Sequence, residues 1–230
     1  MTRQPGRGVV ARECAPLLAL ALFALVLAPG RAFGDDSEEA RLRARLKPEL
    51  ATSVIDVVRS AAAQGLPTAP LVGRALEGAS RQADDAAILD AVRRYAAGLA
   101  SARRALGMTA RAAELDAGAG ALMAGVPEDS LTSLKHARPA GSLVIPLIVL
   151  SDFVARGVPV ASASNTVLAA TRAGAADPAL LRMRERIHDR ILRGEAPTGA
   201  SREELRELLL TTTPPSHERG GRDENEKRRP

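Results

Sequence analysis

The residues best suited to chemistry in this sequence are a few histidines and carboxylates. Glu185 and His188 are spaced i, i+3, which is how one helix supplies two ligands to a di-iron or di-manganese site. A full site also needs a second Glu-x-x-His pair, which the sequence lacks. We therefore interpret the pair as a solvated helix face beside Arg184 and Arg186. We predict no metal and no cofactor, and His136 completes the set of possible general acids or bases.

A glycine-rich stretch at 114–125 has the composition of a phosphate-binding loop but not its spacing. Gly118 and Gly120 are followed by Met123 where a dinucleotide loop has glycine. Alanines also recur at four-residue intervals, at Ala113, Ala117 and Ala121. This pattern predicts a helix that a neighbouring helix approaches closely.

The remaining candidates for catalysis are weak. Cys14 is the only cysteine, and Ser142 is not in a Gly-x-Ser-x-Gly elbow, so we interpret Ser142 as a helix-start residue. Asp84 and Asp85 are neighbours, and neighbouring side chains on a helix diverge by about 100°. They are therefore expected to open a helix rather than to act as an acid and base pair.

A recurring corner separates the elements that carry these residues. It has the order glycine, apolar residue, proline, and occurs as Gly65-Leu66-Pro67, Gly125-Val126-Pro127 and Gly157-Val158-Pro159. Glycine takes the left-handed cap conformation, the apolar residue packs back on the last turn, and proline prevents continuation of the helix. Each corner therefore predicts two helices joined by a tight turn. The tetratricopeptide and ankyrin signatures are absent, so the resemblance is to α-helical repeat proteins in general.

Apolar spacing predicts the helices themselves. One stripe runs straight through Gly98 in steps of four and three, at Ile88, Val92, Tyr95, Leu99, Ala102 and Leu106. It predicts one long helix at 82–106. Further helices are expected at 49–64, from Asp177 to Gly194 with Asp177 as N-cap, and at 200–210. Residues 142–150 allow either a buried strand or a helix that begins near Pro146 and ends at Gly157.

These patterns, with 46% hydrophobic and only 2% aromatic residues, predict an all-α fold. We expect an irregular helical bundle or a short solenoid of helix-glycine-apolar-proline-helix hairpins, with one long central helix. The expected domain covers 35–213. A charged tail at 214–230 is expected to be disordered. Its basic end, KRRP, predicts either weak adhesion to anionic surfaces or a solubilising role.

The first 34 residues predict a secretory signal peptide. Basic residues come first, at Arg3, Arg7 and Arg12, and an uncharged apolar run follows at 15–28. That run has 14 residues, whereas a membrane-spanning helix needs about 20, so an uncleaved anchor is the less favoured alternative. Ala32 and Gly34 supply the small residues for cleavage after Gly34. We expect a periplasmic or secreted chain with no integral membrane span after cleavage.

Charge and composition also narrow the choice of partner. The chain has 32 basic and 27 acidic residues, and removing 1–34 leaves 28 and 26, a net charge of only +2. Tyr95 and Phe153 would then be the only aromatic residues. Both observations argue against a nucleic acid partner, which usually requires a basic surface and stacking side chains.

Three functions are consistent with the sequence. The favoured one is a non-catalytic helical module that binds or scaffolds an envelope or extracellular protein, because helix pairs create extended surfaces. The first alternative is a lipid or apolar-ligand carrier in which 142–150 lines a cavity. The second is an enzyme with dispersed acid and base residues, namely His136, Glu185 and His188.

Overall fold

The computed structural model describes residues 35–212, and these form ten α-helices and no strand. In chain order the helices are α1 (Asp35–Arg45), α2 (Pro48–Ala63), α3 (Ala69–Ser80), α4 (Asp85–Leu106), α5 (Ala112–Met123), α6 (Glu128–Ala137), α7 (Val144–Ala155), α8 (Val160–Arg172), α9 (Asp177–Leu192) and α10 (Pro197–Thr212). The predicted all-α class is confirmed. The expected signal peptide and the expected tail lie outside the described residues.

Six of the connections share one geometry. In each of them a residue with positive φ follows the C-cap residue of the helix. The residue after it donates its backbone N–H to the carbonyl of the residue five positions before itself; Leu66, for example, donates to Ala61 at 3.0 Å. This pair of features is the Schellman motif. The positive-φ residues are Gly65, Gln82, Gly125, Gly157, Gly174 and Gly194. The corners at 82 and 174 lack the Gly-apolar-Pro order, which is why the sequence pattern did not identify them.

The long helix α4 follows its predicted stripe. All six stripe residues are buried, and the helix continues through Gly98. It begins at Asp85 rather than at 82, because Gln82 takes φ of 56° and so belongs to the preceding corner. Asp84 is the N-cap residue, and the Asp85 carboxylate accepts a bond from Lys47 Nζ at 2.9 Å.

Within residues 142–150 the chain forms a helix and not a strand, and α7 begins at Val144, two residues before the expected start near Pro146. Pro146 is tolerated there because it lies in the first turn, where backbone N–H groups have no partner within the helix. Ser142 Oγ accepts the N–H of Val144 at 3.3 Å, which agrees with its interpretation as a helix-start residue. Leu147, Val149 and Phe153 are fully buried, so this helix contributes its apolar surface to the core.

Two predicted local assignments need correction. Asp177 is the first residue of α9 rather than its N-cap, which is Ala176, and its carboxylate accepts Arg138 Nη1 at 2.6 Å. His136, named above as a possible acid or base, lies in the last turn of α6, which ends at Ala137. Helix α10 also begins three residues before the expected position, at Pro197.

The helices pack in two rows. Helices α2, α4, α6, α8 and α10 form the even row, in which each helix packs against the next. Helices α5, α7 and α9 form the odd row in the same way, while α3 packs mainly on α4. Contacts between helices two apart in the chain are typical of stacked helical pairs. One continuous hydrophobic core lies between the rows.

Helices α4 and α5 cross closely, as the small residues predicted. A Cβ added to Gly118 would lie 3.0 Å from Ala102 Cβ and 3.2 Å from Leu106 Cδ1. The contact face differs from the predicted alanine row, because Ala113 is exposed and Ala119 is buried in its place. None of the described helices is both long enough and apolar enough to cross a membrane.

Candidate protein-binding face

The residues predicted to form corners all lie between helices. Gly65, Gly125 and Gly157 have φ of 68°, 91° and 85°, a region that side-chain-bearing residues rarely adopt. Pro127 and Pro159 are the N-cap residues of α6 and α8. Pro67 lies one residue before the N-cap of α3. These residues set the turn angle between helices and bring no reactive side chain to the surface.

The possible acid and base residues are dispersed. His188 on α9 lies beside Arg156, whose Nη1 contacts His188 Nδ1, and Arg156 Nε also donates to Asp152 at 2.6 Å. Glu185 is exposed on the same helix, and His136 is exposed on α6. Within the described residues no group of three or more His, Cys, Asp or Glu side chains is arranged to hold a metal ion.

The buried carboxylate of Glu114 joins two helix starts. Its Oε2 accepts the N–H of Arg111 and its Oε1 accepts the N–H of Leu143, both at 2.9 Å. Burial raises the pKa of this carboxyl, but the two backbone donors outweigh burial and leave the pKa below its usual value. Glu114 therefore fixes the beginning of α7 relative to α5, and we assign it a structural role.

Tyr95 links three helices in a similar way. Its hydroxyl donates to Asp116 Oδ1 on α5 at 2.6 Å, and the guanidinium carbon of Arg74 on α3 lies 4.3 Å from the ring centroid. Burial, followed by the bond to Asp116, raises the pKa of Tyr95 to about 12. The ring thus acts as a bridge between α3 and α5, and its hydroxyl remains protonated at neutral pH.

The contact between α9 and α10 contains the densest ion cluster. Arg190 Nε donates to the buried Glu204 at 2.7 Å, and Arg190 Nη2 donates to Glu207 at 3.0 Å. Arg186 approaches the same two carboxylates. The charges of this cluster pair with one another across the contact, so the cluster holds the last helix in place.

The surface of the even row differs from the paired ion cluster between α9 and α10, because many of its side chains are short and leave grooves between the helices. Between α2 and α4 lies a groove of about 410 Å³. Its lining residues are Ser53, Asp56, Val57, Ser60, Ala61, Gln64, Leu66, Arg93, Ala96, Ala97 and Ala100. On the α4 side the groove is lined by three alanines, whose side chains are small. A peptide chain lying in the groove could therefore contact the backbone of α4 closely.

A second groove, of about 170 Å³, lies between α6 and α8 of the same row. Half of its eight lining residues carry hydroxyl or amide side chains, namely Ser130, Ser133, Ser164 and Asn165, and the others are Asp129, Leu134, Leu150 and Leu168. Ser130 Oγ donates to Ser164 Oγ across the groove at 3.2 Å. Hydroxyl and amide groups both donate and accept, which suits the alternating donors and acceptors of a peptide backbone.

The two grooves lie along one surface, which we name the even-row face. Arg104 follows Ala97 and Ala100 on the same side of α4 by helical spacing. Its Nη2 donates to Glu128 of α6 at 3.0 Å, next to Asp129 of the second groove. Neighbouring helix axes lie about 8–10 Å apart, so the face extends about 24–30 Å from α2 to α8.

Several polar groups on the even-row face are unpaired. In the part of the chain that the structure describes, the side chains of Asp56, Arg93 and Asn165 make no hydrogen bond or ion pair with another protein group. Sequence reasoning missed this face because its residues come from four helices. The frequent Ser and Ala on the outer sides of α2, α4, α6 and α8 were the available signal. Comparisons with family models, curated proteins and solved structures gave no match.

Proposed function

We propose that this protein is a non-catalytic helical module that binds an extended segment of another protein along the even-row face. The observation that carries the proposal is the pair of grooves in one helix row, both lined by short side chains and polar groups. An extended chain rises about 3.3 Å per residue, so the face would hold about eight residues.

The chemistry of the grooves favours binding over catalysis. Ser130 and Ser164 bond to each other, so neither hydroxyl is paired with a base as an activated nucleophile would be. The residues that the sequence marked as possible acids or bases, including His136 and His188, do not line either groove.

We further propose that the partner is an envelope or extracellular protein, because residues 1–34 have the order of a secretory signal peptide. Cell fractionation and N-terminal sequencing of the chain in its native cells test this directly. The expected result is an extracytoplasmic protein that begins at Asp35. A cytoplasmic protein that retains residues 1–34 would contradict it.

Photo-crosslinking in living cells tests the binding face. A benzophenone side chain placed at Ser60 or Ser133, one in each groove, is expected to capture the same partner protein. The same group at Ala113, which is exposed on α5, serves as the control and is expected to capture none. Equal crosslinking at all three positions would reject the even-row face as the binding site.

A matched substitution then measures the contribution of the α2/α4 groove. Ala97→Arg fills this groove and is expected to weaken binding of the captured partner at least tenfold, equivalent to about 1.4 kcal/mol. Ala113→Arg adds the same side chain outside the face and should leave affinity unchanged. Because both positions are exposed helix sites, a difference in folding would not explain the result.

A further inference from the structure

A separate groove lies at the start of the described chain, between α1 and α3. We name it the N-terminal groove. It has a volume of about 430 Å³ and is lined by Arg41, Ala44, Arg45, Leu76, Ala79 and Ser80. The wall on α1 is basic, while the α3 side presents mainly the half-buried apolar residues Leu76 and Ala79.

The N-terminal groove continues toward the next corner. An adjoining groove of about 280 Å³ shares Arg45 and Ala79 with it and also includes Gln82 and Ala83. The two together form one channel from the middle of α1 to the corner between α3 and α4. This channel includes no residue that lines either groove of the even-row face.

The charges on the basic wall are not neutralised by the protein. Among the described residues, neither Arg41 nor Arg45 has an ion pair or a side-chain hydrogen bond. The neighbouring cations are all paired: Arg43 with Glu39, Lys47 with Asp85, and Arg81 with Glu77. The channel therefore presents two free guanidinium groups beside an apolar floor.

Gln82 is unusual among the corner residues. Within the described residues it is the only non-glycine with positive φ, at 56°, whereas the other Schellman corners use glycine. This conformation is unfavourable for a side-chain-bearing residue, because it brings Cβ close to the following carbonyl oxygen. The strain keeps an amide side chain at the end of the channel, where glycine would supply none. Strain retained at one position of a repeated motif is a reason to look for a binding role.

We propose that the N-terminal groove binds an acidic segment of a partner protein in extended conformation. Arg41 and Arg45 are four helical residues apart, a rise of about 6 Å. Side chains two residues apart in an extended chain are separated by about 6.6 Å on the same side. Two carboxylates at that spacing would meet the two guanidinium groups. The side chain between them would point the opposite way, to Leu76 and Ala79.

A protein segment fits this channel better than a lipid surface does. Membrane binding uses large apolar side chains that project from the protein. The exposed large apolar side chains among the described residues are Met108, Met123, Ile148, Leu192 and Leu210. None of them lies on α1 or α3. Gln82 adds a donor and an acceptor for one peptide unit, which a lipid chain would not use.

Fluorescence anisotropy with the full chain and two labelled peptides tests the proposal. The probe GSGELELEGSG carries acidic residues two apart around leucine, and GSGQLQLQGSG is its uncharged match. We expect the acidic probe to bind and the uncharged probe to bind at least tenfold more weakly. No binding of the acidic probe up to millimolar concentration, or equal binding of both, would overturn the proposal.

Charge-matched variants locate the binding. Arg41→Glu with Arg45→Glu should weaken binding of the acidic probe about tenfold or more. Arg193→Glu with Arg202→Glu changes two exposed, unpaired arginines elsewhere and should have no effect. Equal losses in both double variants would show general electrostatic attraction and reject the groove. Stronger binding of the wild-type chain to phosphatidylglycerol vesicles than to the probe would reject the protein partner.

Gln82→Gly separates binding from stability. Because glycine relieves the positive-φ strain, we expect the melting temperature to rise by about 2–4 °C, while affinity for the acidic probe falls about threefold. An increase in stability with unchanged affinity would remove Gln82 from the site. Ala97→Arg should not affect this probe, so a failure here is distinguishable from a failure of the even-row face.

Discussion

The odd-numbered helices are held differently at the two ends of the molecule. Helices α5, α7 and α9 pack directly on one another, whereas α3 is tied to α5 by side chains, through Arg74, Tyr95 and Asp116. Direct packing encloses apolar side chains such as Phe153 and Met183 between these helices. The N-terminal groove lies next to the bridged helix, between α1 and α3.

Composition accounts for this contrast. Helix α7 buries Leu147, Val149, Leu150 and Phe153 almost completely, so it attracts neighbours on several sides. Helix α1 is mostly charged, and among its side chains that the structure describes only Leu42 is fully buried. A helix with a single large apolar residue cannot exclude water along its whole length. The difference teaches that the N-terminal groove lies beside a mostly charged helix, whereas the apolar helix α7 is enclosed by its neighbours.

The strongest test of the contrast is Phe153→Ala in the directly packed part. Phe153 is fully buried, so truncation should lower the free energy of unfolding by about 3–5 kcal/mol. Urea denaturation followed by circular dichroism measures the loss. Ile148→Ala on the same helix is the control, because Ile148 is 40% exposed and should cost much less. Similar losses for both would contradict the assigned orientation of α7.

The next largest effect is expected where α4 and α5 cross. Gly118→Leu places a side chain against Ala102 and Leu106 and should destabilise the protein by about 2–3 kcal/mol. Gly120→Leu enters open space on the same helix and should be neutral or stabilising by up to about 1 kcal/mol, since leucine favours helix. Thermal melting of the two variants measures both changes in stability, the expected loss for Gly118→Leu and the expected small gain or absence of change for Gly120→Leu. A stable Gly118→Leu protein would show that the helices do not cross at this point.

Glu114→Gln tests the polar link between α5 and α7. The variant loses the negative charge that accepts two backbone N–H groups, and should be less stable by about 1–2 kcal/mol at pH 7. The folded-state pKa of Glu114 is lowered. The stability that Glu114 contributes is therefore present above its unfolded pKa and is lost as pH falls through the folded pKa. Urea denaturation at pH 7 and pH 3 should show that the free energies of unfolding of variant and wild type differ less at pH 3. The same difference at both pH values would contradict this role.

The smallest effect is expected for the side-chain bridge at Tyr95. Tyr95→Phe retains the ring beside Arg74 but removes the bond to Asp116, and should cost about 1 kcal/mol. Tyr95 is the only tyrosine in the chain, so absorbance titration reports its ionisation alone. The midpoint is expected near a pKa of about 12 in the folded protein and near 10 in urea. The raised folded-state pKa means that this stabilisation is complete below pH 10 and lost between about pH 10 and 12. Matching midpoints in both states would show that the bridge does not form.

Prediction from sequence succeeded where the signal is short-range. The stripe from Ile88 to Leu106 predicted every buried position of α4, because apolar spacing along one helix reports the face that packs. Gly125 marked its corner because glycine accommodates positive φ without strain. The corner at Gln82 was missed for the converse reason, since no local preference indicates a strained glutamine.

The amino-acid sequence by itself determined that the described chain is helical, and where most helices turn, because capping and apolar periodicity act within a few residues. Only the tertiary structure decided which helices share a row, where the grooves lie, and which polar groups meet. Glu114 and Leu143 are 29 residues apart, and Ser130 and Ser164 are 34 apart. Such pairs depend on the packing of whole helices against one another. Packing is set by the fit of buried surfaces and leaves no pattern in any single segment.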